Sequence, residues 1–354
     1  MSLTVQKRVW RSVGGADTHP SIGLSRAALG ALIGGFGALA LAGIAVPIEA
    51  QMVIYLVGMI ALNLPHGGYE HFENLRRRRP SFRWRYVVAY LTAIAGFVGL
   101  FLIAPVAGLA LALVVAMAKG GIGGLRVLES TVGSDHLRTR PQRALAAAVR
   151  GGAVMLVPMA FHTDTFYAFS TLMVGIVEPG ALGSAAGRVD AVRTTIVVGY
   201  GAALVAHVAL GYVRGGGRSW LVDASETVLL AAYFAVVPVL VAVGLYFPFW
   251  YSARQVARTA TVEAEPAGDD KWDLIGGDSV SAAALRAWTL MAVGALATFT
   301  VIAAFYWAFP NPFAGSGLLP GAVAFWSVAI SIIALPHVVV GDLLDTERGI
   351  WYVP

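Results

Sequence analysis

The chain contains no cysteine, which excludes disulfides, thiolate catalysis and cysteine-ligated metals. Charge is scarce. Only 13% of the 354 residues are Asp, Glu, Lys or Arg, against 58% hydrophobic residues, and mean hydropathy is +0.73. A soluble domain of this size carries about twice that share of charge to cover its surface. The period-2 alternation of a membrane β-barrel is missing. So are a Walker loop, a G-x-S-x-G elbow, an H-E-x-x-H pair and a dinucleotide-binding glycine run after a strand. Met1 to Ser25 is polar and basic, without a short apolar core before a cleavage site, so no removable signal peptide is expected. There is no evident internal repeat. The net charge of +5 would suggest nucleic acid in a soluble protein. Here the positive-inside bias of membrane proteins accounts for it, and no nucleic-acid partner is expected.

What is present is a series of apolar runs, most of them long enough to cross a hydrocarbon core of ~30 Å. They fall at roughly 26–47, 51–68, 86–104, 106–120, 143–161, 189–213, 222–236, 238–256, 282–308 and 319–343. The fold class is therefore all-α: a polytopic membrane helix bundle of about ten transmembrane helices, placed in the cell membrane as a multi-pass protein. The seventh and eighth runs form either one helix kinked at Pro238 or a shallow hairpin. Residues 163–187 hold Pro179 and several glycines and read as a re-entrant or interfacial piece. Basic residues sit in every second loop, at Lys7 to Arg11, Arg76 to Arg85, Arg126 to Arg143, Arg214 to Arg218 and Arg254 to Lys271. That places both termini in the cytoplasm, with Arg188 and Arg193 as exceptions. Four parts follow: a cytoplasmic segment 1–25, a main bundle 26–258, an acidic linker 259–281 and a two-helix part 282–354 of the same bundle.

The ionisable residues at the ends of these runs carry the functional signal, because burying such groups is costly without a partner or a task. Leu64-Pro65-His66-Gly67-Gly68-Tyr69-Glu70-His71 ends the second run. His66 and His71 are five apart, about 140° around a helix, so they do not share a face. Leu335-Pro336-His337-Val338 repeats the Pro-His pattern, with Asp342 five residues after His337. Lys119 begins Lys119-Gly120-Gly121-Ile122-Gly123-Gly124, which reads as a close-packing or hinge element rather than a phosphate cradle. His66, Lys119, the Tyr251–Gln255 segment and His337 all map to cytoplasmic helix ends. His207 lies in mid-run and reads as a neutral histidine bonded to a neighbouring helix. His162 ends the fifth run, with Asp164 as a capping candidate. His19 and His136 lie in polar loops and read as surface residues.

Three ordered segments resemble motifs of the Brp/Blh family, bacteriorhodopsin-related membrane proteins that include β-carotene 15,15′-dioxygenases. Pro65-His66-Gly67 looks like its Pro-His-Gly motif. Tyr251-Ser252-Ala253-Arg254-Gln255 is similar to its His-Ser-x-Arg-His segment, and Pro336-His337 to Asp342 to its C-terminal Pro-His-x-x-x-x-Asp. The resemblance implies cleavage of the central double bond of β-carotene by O₂ to give two retinals. It also implies a non-haem Fe(II) cofactor held by four histidines. His66 matches the first ligand. Lys119 stands at the second ligand position, and Tyr251 and Gln255 at the third and fourth. A lysine cation repels iron, a tyrosine phenolate suits ferric iron, and glutamine is a weak ligand. His66, Tyr251 and Gln255 are the candidate catalytic residues. Tyr69, His337, Phe249 and Trp250 are candidates for the substrate pocket, and His71, His162 or His337 are the donors available to rebuild a metal site. Two readings stay open: a carotenoid-cleaving dioxygenase, or a non-catalytic carotenoid- or retinal-binding accessory protein that serves an opsin or a catalytic paralogue. A small transporter is a weaker third, since no pair of broken helices occupies matching halves.

Overall fold

The computed structural model describes residues 20–63, 80–254 and 280–344, and among these it contains helices and no strand. Eleven α-helices are described: α1 Pro20–Leu41, α2 Ile48–Leu56, α3 Pro80–Ile103, α4 Pro105–Thr131, α5 Arg140–Phe161, α6 Thr163–Gly175, α7 Val189–Val213, α8 Gly217–Val236, α9 Val239–Tyr246, α10 Val280–Ala308 and α11 Leu318–Leu344. Two are prolonged by π-helical turns, α2 through Val57–Asn63 and α9 through Phe247–Ser252.

A helix lies on each of the ten apolar runs. Five helical segments among the described residues are long and apolar enough to cross a membrane unaided: α1, α4, α5, α7 with its preceding 3₁₀ turn, and α8. Large apolar side chains point outward along them and their neighbours, including Leu41, Ile103, Val205, Val213 and Trp307. Apolar exposure on that scale suits a lipid-facing surface rather than a wet one.

Proline sets the breaks. Pro105 opens α4 and leaves Ala104 extended, at φ −143° and ψ 73°, which divides one long apolar stretch into α3 and α4. Val237 and Pro238 are both extended, with ψ of 129° and 136°, and separate α8 from α9. The rings of Phe234 and Tyr246 then lie 5.4 Å apart. A continuous helix would hold residues this far apart in sequence about 18 Å apart along its axis. The chain therefore turns back at Pro238, as in the hairpin alternative. The stretch 163–187 forms the short helix α6, packed on α5 and α11, followed by turns and the 3₁₀ segment Gly183–Arg188.

One expected boundary moves. The fourth run was expected to end near residue 120, yet α4 continues to Thr131, so Lys119 sits at mid-helix rather than at a helix end. The glycine-rich stretch sustains that continuation through packing. A Cβ on Gly121 would strike the carbonyl oxygen of Ala147, and one on Gly151 would strike that of Met117. The α4 and α5 backbones touch there, as expected of a close-packing element. A second backbone contact joins α2 to α9, where a Cβ on Gly244 would lie 2.7 Å from the Tyr55 Cα. Among the described residues the core has two large apolar regions. One gathers α2, α3, α10 and α11 around Phe101, Phe305 and Trp326, and the other gathers α1, α5, α8 and α9 around Tyr233, Phe234 and Tyr246.

Candidate functional site

The residue-119 region of α4 lies against the end of the α9 extension. The Lys119 Nζ lies over the Tyr251 ring, 5.0 Å from its centroid. Tyr251 meets Phe247 edge-on at 6.0 Å, and Phe247 meets Tyr246 at 5.3 Å. The π turn that carries Tyr251 packs against the π turn Val57–Asn63. An extra residue per turn re-aims side chains, which is why such turns gather at functional sites.

Beside this aromatic group lies a buried ionic network that holds six segments together. Glu226 of α8 is its node. Arg254 makes two parallel bonds to it, Nη1 to Oε1 and Nη2 to Oε2, both 2.7 Å, and its guanidinium stacks on Trp250 at 4.4 Å. Arg26 of α1 donates to Glu226 Oε1 at 2.8 Å through Nη2. Arg150 of α5 reaches Glu226 Oε2 at 3.3 Å and Asp223 Oδ1 at 2.7 Å through Nε. Asp223 Oδ2 lies 2.8 Å from His136 Nε2 and 3.2 Å from His207 Nε2. A carboxylate oxygen only accepts, so both Nε2 atoms carry hydrogen, and Nδ1 of a neutral His136 accepts from Ser219 Oγ at 3.1 Å.

Replacing His136 by Phe removes one donor to Asp223 and is expected to cost about 1–3 kcal/mol, read as a lower unfolding midpoint of the purified protein. An unchanged midpoint would show that His207 and Arg150 satisfy Asp223 alone.

The network corrects one expectation and supports another. His136 is not a surface residue; it is 1% exposed, because the loop between α4 and α5 folds its imidazole onto α8. His207 is bonded to a neighbouring helix, as its mid-run position suggested. Arg150, Asp223 and Glu226 were not singled out in the sequence. The available signal was their position, since each is ionisable inside an apolar run and such residues pair with one another.

The remaining candidates fall as follows. His66, Tyr69, His71 and Gln255 lie outside the described residues. His337 belongs to α11, but its side chain is outside them as well. Trp250 is buried beneath Arg254, whereas Phe249 is 38% exposed on the outer face. These two neighbours therefore point to different environments rather than to one lining. His162 joins α5 to α6, and its Nε2 is buried with no hydrogen-bond partner among the described residues. Burial pushes its pKa below the ordinary imidazole value, partly offset by the carbonyls of Val237 and Phe234. Asp164 lies in the first turn of α6, where a negative charge suits the helix dipole.

Among the described residues no group of three or more His, Asp or Glu side chains is arranged to hold a metal. His136 and His207 direct Nε2 to Asp223. At the two replaced ligand positions within the described residues, an amine side chain rests on a phenol ring. Lys119 and Tyr251 therefore do not fit the imidazole set that the resemblance implies.

A family model described as beta-carotene 15,15′-dioxygenase matches residues 57–345. The sequence is 56% identical over 338 residues, 94% of each chain, to proteins named "Probable beta-carotene 15,15′-dioxygenase Brp" from Halobacterium salinarum strains R1 and NRC-1. It is 31% identical over 326 residues to a protein named "Probable beta-carotene 15,15′-dioxygenase Blh" from strain NRC-1, covering 88% of this chain and 89% of the relative. No solved structure matches the chain.

Proposed function

The chain belongs to the β-carotene 15,15′-dioxygenase family, and from that premise we propose that it acts on β-carotene within the cell membrane, cleaving the central double bond with O₂ to give two retinals. The observation that carries this reading is the match along nearly the whole chain to relatives named for that reaction. The ten apolar helices act as membrane spans with both termini in the cytoplasm. The apolar outer surface supports this reading, and the basic bias of alternate loops gives the orientation. A substrate without polar groups enters such a bundle from lipid, and its apolar walls exclude water from the cleaved bond.

An iron ion, when bound, supplies O₂ activation. Lys119 and Tyr251 do not fit it, so in this reading His66 would hold it together with donors drawn from His71, His162 or His337. The Lys119–Tyr251 pair favours a second reading, in which the chain binds the carotenoid or retinal without cleaving it and serves an opsin or a catalytic paralogue.

Expression in cells that accumulate β-carotene separates the two. Retinal is expected to form together with co-purifying iron, and His66→Ala is expected to abolish it. Intact carotene and an iron-free protein would overturn cleavage and leave the accessory role.

A further inference from the structure

Three of the 25 basic residues are lysines, and the rest are arginines. Arginine fills the basic loops and supplies the described ion pairs of the helix interior, buried at Arg150 and Arg254 and partly exposed at Arg26. Lys7 and Lys271 belong to polar stretches of the sequence. Among the described residues the one lysine is Lys119, at the middle of the apolar helix α4 and half-buried. The two cationic residues differ chemically in one respect that matters here. Arginine keeps its proton under all ordinary conditions, whereas a lysine in an apolar site can shed its proton and become a nucleophile. The amine so formed condenses with aldehydes.

The surroundings suit an apolar aldehyde. Lys119 Nζ sits over the Tyr251 ring, within the aromatic sequence Tyr246, Phe247 and Tyr251. Gly120 and Gly121 follow on α4 and seat that turn directly on Val154 and Ala147 of α5, which fixes the position from which Lys119 projects. An aromatic face stabilises a cation above it, whether an ammonium or a protonated imine.

We propose that Lys119 binds a polyene aldehyde of the retinal class covalently, as an imine. The inference rests on the reading that retinal is a ligand of this chain, and it does not require the chain to make it. The ammonium first gives a proton to water. The Nζ lone pair then forms a bond to the aldehyde carbon as the C=O π pair moves to oxygen, and that oxygen takes up one proton while the nitrogen gives one up, leaving a neutral carbinolamine whose remaining N–H proton departs with the hydroxyl as water. Loss of water breaks the C–O bond and leaves C=N, with no change of oxidation state. Protonation of the imine restores a positive charge over the Tyr251 ring. A reactive aldehyde is thereby held at one amine, away from the amines of other proteins.

The test uses the full-length protein in lipid–detergent micelles, incubated with all-trans-retinal, reduced with borohydride, digested and mapped by mass spectrometry. A retinyl adduct is expected on the peptide containing Lys119, well above that on Lys7 and Lys271, with a red-shifted absorption band before reduction. Lys119→Arg keeps a cation at the site and is expected to lower the adduct to the background of the other two lysines, with helical circular dichroism unchanged. Labelling of all three lysines alike would overturn the proposal. So would equal labelling of Lys119 by propanal, which carries no polyene. The carotene-fed cells keep the two readings apart. No retinal from carotene, together with a Lys119 adduct from added retinal, removes the cleavage reading and leaves this one standing. Retinal production with no adduct at Lys119 does the reverse.

Discussion

Replacing Glu226 by alanine is expected to cost the folded protein about 3–5 kcal/mol, enough to remove most of it from the membrane fraction. Two buried guanidiniums, those of Arg254 and Arg150, and the partly exposed one of Arg26 all meet this carboxylate. Alanine takes away their shared counter-charge and leaves them in an apolar setting, where an unpaired charge is costlier than the lost pair was worth. The damage falls unevenly. Arg150 keeps Asp223 at 2.7 Å and Arg26 is partly exposed, so Arg254 loses most. Arg254 also anchors the π turn that presents Tyr251, so that turn is expected to loosen first. Glu226→Gln keeps the shape and one acceptor, and its loss is expected to be smaller. The check is thermal unfolding of the purified protein, with tryptophan emission as an added readout because Trp250 packs beneath Arg254. A midpoint for the alanine variant within a degree or two of the parent would show that the network is not a structural clamp.

The second large effect is expected from Gly151→Ala on α5. A single methyl there meets the Met117 carbonyl oxygen of α4, and backbone, unlike a side chain, cannot rotate away. The helices must separate, at a cost of about 1–3 kcal/mol or somewhat more. The displacement is felt two residues along at Lys119, so the variant is expected to lose stability and the Lys119 retinyl adduct together. By contrast, Gly199→Ala on α7 meets nothing within 4 Å and serves as the control. Full labelling of Lys119 in the Gly151 variant would show that the crossing does not hold the pair in register.

Much of the secondary structure was legible because its causes are local. Apolar runs of span length become helices wherever backbone groups must bond within the segment. Pro105 and Pro238 end helices through their own ring geometry. The α4 boundary was misjudged for a reason that is not local. Gly120 and Gly121 weaken a helix in isolation, and only the α5 backbone lying against them makes the stretch favourable. His136 was misjudged in the same way, because a histidine in a polar loop looks exposed until the loop folds onto Asp223.

The sequence by itself determined an α-helical, membrane-type chain and its family, and at Pro238 it left open whether the chain bends or turns back. These rest on composition, on span length and on short motifs, all of which are properties of neighbours along the chain. The tertiary structure alone decided which distant residues meet. Arg26 and Glu226 lie 200 residues apart, and Arg150 and Asp223 lie 73 apart. Lys119 and Tyr251 meet in a bundle whose glycine crossings bring α4 to α5 and α2 to α9 at backbone contact. An ionisable residue in an apolar run signals that a partner exists. Which partner it finds is set by the helix packing, because the cost of an unpaired buried charge is relieved only by what the neighbouring helices bring within reach.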